Sequence, residues 1–207
     1  MNQQLIENPI IKLAGITFSY PGALPVLKDL DFTLSDGDRI GMIAPNGSGK
    51  TTLFHIIMGL LKPTAGRIEI FGQRVAEEED FVAVRRRIGL LFQDADDQLF
   101  SPTVAEDVAF GPMNLGRTRD ETKAVVSDTL RLLGLAGYEH RITHKLSGGE
   151  KRLVSLATVL AMQPEVLLLD EPTAGLDDNA VARVSEILSK LPQAMLIVSH
   201  DRAFLEE

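Results

Sequence analysis

The chain has 207 residues with a net charge of −8, and its 44% apolar and 24% charged content is that of a globular protein able to bury a core. The acidic balance gives no general attraction to nucleic acid or anionic lipid, which argues against a nucleic-acid partner; the short run Arg85-Arg86-Arg87 is expected to be a solvated helix end. With no cysteine there is neither a disulfide framework nor a thiolate metal site; the start MNQQLIENP lacks a secretory pattern, and no apolar run approaches the roughly 20 residues of a membrane span.

The apolar pattern alternates between strand-like and helix-like stretches, which argues for an α/β chain. Residues 10–20 and 26–34 read as alternating strands, with a turn at Pro21-Gly22 between them. Residues 39–43 are a short apolar run entering a glycine-rich loop, and 50–61 read as a helix stopped by Lys62-Pro63. Strands are expected at 67–71 and 88–92. Helical spacing then dominates at 103–110, 121–133 and 150–162, so a helical insertion is expected between about 94 and 160. Residues 166–169 are four consecutive apolar residues, as in a strand buried on both faces of a parallel sheet. A helix at 179–191 and a buried strand at 194–198 complete the pattern, and the strand ends at Ser199-His200.

The loop Ala44-Pro45-Asn46-Gly47-Ser48-Gly49-Lys50-Thr51-Thr52 lies between a buried strand and a helix, the context of a phosphate-binding loop. Gly47 and Gly49 let the backbone curl so that N–H groups point inward, and the helix start adds positive dipole. Lys50 supplies a point charge for the β- and γ-phosphates of a nucleotide, and the Thr51 hydroxyl is suited to Mg²⁺. The motif ordinarily opens with glycine and here opens with Ala44. That costs roughly 1 kcal/mol if φ is positive there, and tolerance is expected.

At the end of the 166–169 strand stand Asp170 and Glu171. Ligands of open α/β sheets bind at the carboxyl ends of strands, so this pair and the phosphate loop can meet. Asp170 suits Mg²⁺ held through water, and Glu171 suits a base that orients or deprotonates an attacking water. Read alone, the pair equally fits an acidic helix start before Pro172.

Leu146-Ser147-Gly148-Gly149-Glu150 opens the last helix of the insertion, where free N–H groups can bind anions. The order phosphate loop, LSGGE, acidic strand end resembles the ABC ATPase family from residue 10 to residue 207. The resemblance implies a P-loop NTPase core with N-terminal antiparallel strands and an inserted α-helical subdomain. It divides the chain into a core of about 1–93 and 163–207 and a helical part of about 94–162. It implies that Tyr20 stacks on adenine and that Asn46, Gly47, Ser48, Gly49, Lys50, Thr51 and Thr52 bind ATP. Thr51, Gln93 and Asp170 would hold Mg²⁺, with Lys50, Gln93, Glu171 and His200 as the catalytic set. Ser147, Gly148, Gly149 and Asp177 would contact ATP across a head-to-tail dimer.

The segment from Phe92 through Asp96-Asp97-Gln98 to Thr103, together with 107–112, resembles the ATPases of cobalt/nickel and energy-coupling-factor importers. It implies that Asp96, Asp97 and Gln98 lie near a groove for a transmembrane partner. The expected function is ATP hydrolysis driving an importer of cobalt, nickel or a vitamin. The chain is then expected at the cytoplasmic face of the cell membrane, as a homodimer or paired with a related ATPase. A soluble ABC ATPase acting on ribosomes or chromosomes is the alternative, disfavoured because only about 50 residues without sustained heptads separate Gln93 from Leu146. A third reading, a regulator that binds ATP without turnover, fits poorly with Glu171 and His200. Relatives continue past the helix expected after His200, so a longer chain is expected to be more stable.

Overall fold

The computed structural model describes residues 9–45 and 47–206. Its strands form two four-stranded sheets. The first is antiparallel, in the order β2-β1-β4-β5, with β1 at Ile11–Phe18, β2 at Leu27–Leu34, β4 at Ala65–Ile70 and β5 at Gln73–Val75. The second is parallel, in the order β3-β8-β7-β6, with β3 at Arg39–Met42, β6 at Ile88–Leu91, β7 at Val166–Asp170 and β8 at Ala194–Val198. Its register aligns Met42 and Asp170 with Val198, and Leu91 with Leu169, so all four carboxyl ends fall on one edge.

Strand β7 explains the layering. Val166, Leu167, Leu168 and Leu169 expose nothing to solvent, and successive side chains of a strand point to opposite faces. Val166 and Leu168 join one hydrophobic cluster with the antiparallel sheet and α1 (Lys50–Ile57). Leu167 and Leu169 join a second cluster with α3 (Val104–Asn114), α4 (Arg119–Leu132), α5 (Gly148–Ala161) and α6 (Asp178–Lys190). The parallel sheet is therefore the middle layer, with α1 on one side and the helical part on the other. The remaining helices are α2 (Glu78–Arg87) and α7 (Arg202–Glu206).

The elements differ from the sequence expectation in three places. Helix α1 ends at Ile57, although its apolar pattern runs on to residue 61, because Gly59 takes a left-handed φ of 70°, the usual helix-ending conformation. Helix α3 continues through Pro112 to Asn114, its Gly111 lying close against Met162 of the neighbouring helix layer. Strand β5 was not anticipated, and of helix α2 only the arginine end was. Nor is the arginine run of α2 simply solvated. Arg85 pairs with Glu78, and Arg87 makes a two-pronged contact with Glu165 at 2.6 and 2.7 Å while lying over the Phe71 ring.

A Cβ placed on Gly59 would stand 2.2 Å from Phe81 Cγ, whereas one on Gly72, which has φ of 74°, meets nothing within 4 Å. Gly59→Ala is therefore expected to cost about 2–4 kcal/mol, from strain plus overpacking, and Gly72→Ala only about 1 kcal/mol. Urea denaturation of the two variants measures the difference.

Candidate nucleotide site

The shared edge of the parallel sheet opens on a cleft of about 340 Å³. Its lining includes Gly47, Gly49, Lys50, Thr51 and Thr52 after β3, Gln93 after β6, Asp170 and Glu171 at β7 and His200 after β8, with Tyr20 from the loop following β1. Strand topology brings the segments after β3, β6, β7 and β8 together, because parallel strands deliver their ends to the same side.

The loop after β3 is shaped by Gly49, the N-cap of α1, at φ 92°. A Cβ there would meet Leu27 Cδ2 at 2.8 Å and Val26 Cγ1 at 2.9 Å, so sterics and dihedral both require glycine. Ala44 is not among the residues with positive φ, so its Cβ is accommodated without left-handed strain. Asn46 lies outside the described residues. Ser48 is exposed, with its N–H bonded to the Pro45 carbonyl at 3.3 Å. Lys50 Nζ donates to the carbonyls of Ala44 (2.6 Å) and Pro45 (2.9 Å). Neutral acceptors leave its charge uncompensated, and with the helix start beside it this end of the cleft attracts anions. Tyr20 is 42% exposed, its ring edge-on to Phe18, and its hydroxyl shares a 3.1 Å hydrogen bond with Thr52.

Across the cleft, Thr51 Oγ1 donates to Asp170 Oδ2 at 2.7 Å. These are two hard oxygen donors side by side, a fit for Mg²⁺, which takes one or two protein oxygens and completes its shell with phosphate and water. No cluster of three or more acidic, histidine or cysteine ligands exists among the described residues, so any cation here would depend on those other oxygens.

Glu171 has a left-handed φ of 50°, a conformation that costs an L-residue about 1–2 kcal/mol. Its Oε2 accepts from the His200 N–H at 3.3 Å and the Ser199 hydroxyl at 3.4 Å. Its Oε1 is buried 3.3 Å from His200 Nε2 and accepts no well-aligned hydrogen bond. Glu171 thus combines a strained backbone with an under-bonded buried oxygen, the pairing of features that makes a residue a candidate for function.

Ser147, Gly148, Gly149 and Asp177 do not line this cleft. Ser147 caps α5 in a reciprocal pair with Glu150: Glu150 Oε2 accepts from Ser147 N–H at 2.8 Å, and Ser147 Oγ accepts from Glu150 N–H at 3.3 Å. Tyr138 and Arg141 donate to the other Glu150 oxygen at 2.7 and 2.9 Å. Gly148 has open space around it, and Gly149 lies against the Gly175 carbonyl. Asp177 caps α6 by accepting from Ala180 N–H at 2.9 Å. The Gln98 side chain turns inward, donating to the Ser155 carbonyl and Thr158 hydroxyl of α5 and accepting from Phe92 N–H. Asp96 pairs with Lys151 of the same helix. Residue-by-residue reading of the sequence passed over the Tyr138–Arg141–Glu150 cluster, whose members only the fold brings together.

The sequence profile described as ABC transporter matches residues 27–174, most of the chain and all of the phosphate-loop, LSGGE and Asp170-Glu171 segments. The chain belongs to the ABC transporter family. This ABC ATPase is 46% identical over 196 residues to the energy-coupling factor transporter ATP-binding protein EcfA of Methanothermobacter thermautotrophicus, an alignment covering 93% of this chain and 63% of that protein. The chain thus spans less than two thirds of that relative. Among solved structures it is similar to cbiO1 of Clostridium perfringens, described as part of the ABC transporter complex cbiONQ. The TM-score is 0.80 at 36% identity, covering 94% of this chain and 80% of the other. It also matches a dimeric ATP-binding cassette in a post-hydrolysis state bound to ADP and Pi, with a TM-score of 0.86 at 26% identity, covering 94% and 90%. No helix among the described residues is long and apolar enough to cross a membrane.

The Glu150 contacts carry a pH dependence. The Ser147 N–H, then the Tyr138 hydroxyl, hold the Glu150 carboxyl below its ordinary value of 4.5. A depressed folded-state pKa adds stability that is present above the ordinary value and lost as pH falls through the folded one. Glu150→Gln is therefore expected to flatten the acid limb of stability against pH. Urea midpoints between about pH 3 and pH 6 for the two proteins check this.

Proposed function

We propose that this chain is the ATP-hydrolysing subunit of a membrane importer of the energy-coupling-factor kind, carrying cobalt, nickel or a vitamin. The observation that supports the chemistry most is the convergence of Lys50, the Thr51–Asp170 pair and the Glu171–His200 pair on one cleft. Kinship with an EcfA protein and with a member of a cbiONQ complex supports the importer kind.

On this reading ATP lies along the phosphate loop, with its adenine against Tyr20 and its phosphates on Asn46, Gly47, Ser48, Gly49, Lys50, Thr51 and Thr52. Magnesium held at Thr51 and Asp170, with Gln93 near, would neutralise charge on the β- and γ-phosphate oxygens. Glu171 takes a proton from the water whose oxygen attacks the γ-phosphorus, as the bond from phosphorus to the ADP oxygen breaks. His200 directs the Glu171 carboxylate through its backbone N–H and imidazole, and Lys50 holds the charge that develops on the phosphates. Ser147, Gly148, Gly149 and Asp177 act on the nucleotide of a second subunit, a copy of this chain or a related ATPase. Their position outside their own chain's cleft and the dimeric state of a related cassette support this. The division into a core of about 1–93 and 163–207 and a helical part of about 94–162 belongs to the same proposal. So does a cytoplasmic location on the inner face of the membrane beside transmembrane subunits.

Glu171→Gln is expected to keep ATP affinity and slow hydrolysis by about 10²-fold or more, and Lys50→Ala to lose nucleotide binding. Equilibrium binding and phosphate release distinguish the two variants; unchanged turnover in Glu171→Gln removes that residue from the base role. For the transport assignment, the tagged protein purified from its native membranes is expected to bring a transmembrane subunit with it. Ribosomal or chromosomal partners without a membrane protein would overturn the assignment and leave the ATPase chemistry standing.

A further inference from the structure

Arg152 lies on α5, within the first turns after the Ser147-Gly148-Gly149 start, and is 3% exposed. Its guanidinium is spent on backbone carbonyls at the ends of two different strands. Nη1 donates to Phe92 O at 2.6 Å and Gln93 O at 3.2 Å, just past the end of β6. Nε donates to Glu171 O at 3.0 Å, and Nη2 reaches the carbonyls of both Asp170 and Glu171 at the end of β7. Burial lowers its pKa to about 10, against the raising influence of the Asp170, Glu171 and Asp94 charges, so it stays a cation at neutral pH.

The acceptor set is informative. A buried arginine needing only charge compensation would pair with a carboxylate; this one bonds four neutral carbonyls, and the residues that own them include Gln93, Asp170 and Glu171. The planar five-donor fork spans two strand ends, which an ammonium cannot do. Glu171 is also the residue in the left-handed conformation, and its carbonyl takes two of the guanidinium's N–H groups. Arg152 makes no hydrogen bond to Tyr20, Lys50 or Thr51; its bonds all go to the hydrolytic side of the cleft.

We propose that Arg152 is a positioning residue for hydrolysis: by clamping the carbonyls of Phe92, Gln93, Asp170 and Glu171 from helix α5, it sets the direction of the Glu171 carboxylate and ties it to the helix that begins at Ser147. This rests on the reading of Glu171 as the group that activates water.

The test compares wild type, Arg152→Lys, Glu171→Gln and the double variant, each as the full chain purified with the subunits that accompany it. Single-turnover ATP hydrolysis, affinity for a fluorescent ATP analogue and thermal midpoint are measured. Arg152→Lys is expected to keep affinity within about 3-fold and slow hydrolysis by about 10- to 100-fold. In the Glu171→Gln background it is expected to change the residual rate by less than about 3-fold, because residues that act as one unit are non-additive. Arg152→Gln, which loses the charge but keeps two donors, is run beside it in case the lysine variant does not fold. An unchanged rate in Arg152→Lys, an equal fold-loss in both backgrounds, or rate and affinity falling together overturns the proposal. Failure of both Arg152 variants to fold assigns a purely structural role and overturns it as well. A normal rate in Glu171→Gln alone defeats the underlying reading of the site, and that result is distinct from additivity between two slow variants.

Discussion

Strand β7 carries four apolar residues with no exposed surface, followed directly by a carboxylate with 2% exposure, and much of the molecule answers that arrangement. Burying each of the four side chains is worth roughly 1.5–3 kcal/mol, but only if both faces are covered and both edges paired. β6 and β8 supply the edges, α1 with the antiparallel sheet supplies one face, and the helices supply the other. Asp170 then emerges where the apolar cover ends. A buried carboxylate without a partner is costly, and the Thr51 hydroxyl meets it from the first turn of α1. The contact that satisfies the strand's end is thus also the contact that assembles the site.

The cleft does not belong to one layer. Gly49 packs on Val26 and Leu27 beside the antiparallel sheet, and Tyr20 reaches Thr52 of α1 from the same side. The opposite wall is the carboxyl edge of the parallel sheet. The distance across the cleft is therefore set by packing between layers, through the cluster that joins β1, β2, α1 and β7.

Much of this was readable in the sequence where a local signal was strong. The apolar run at 166–169 stands out because a doubly buried strand tolerates no polar residue. The loop of Gly47, Gly49, Lys50 and Thr51 carries its chemistry in its spacing. Weak local signals hid the rest. Helix α2 buries only Phe81 and Val84 among charged neighbours, and β5 has three residues. The end of α1 turned on Gly59, inside a stretch whose hydrophobicity continued. Arg152 could be read only as part of a charged pair, because its partners are carbonyls 18 to 60 residues away. No side-chain pattern announces a backbone acceptor.

Helices α2, α3, α4 and α5 close their first turns with reciprocal side-chain caps, and α6 is capped by the Asp177 carboxylate alone. Helix α1 begins at a glycine and has no such cap. Five helices therefore carry their own caps, while α1 leaves its leading N–H groups to be answered by something outside the chain. An anion that answers them joins the folding equilibrium: at a concentration 100 times its dissociation constant it adds about 2.7 kcal/mol to stability. The persistence of the folded chain in a cell would then track the local supply of nucleotide, making this protein's lifetime a readout of the energy state it draws on.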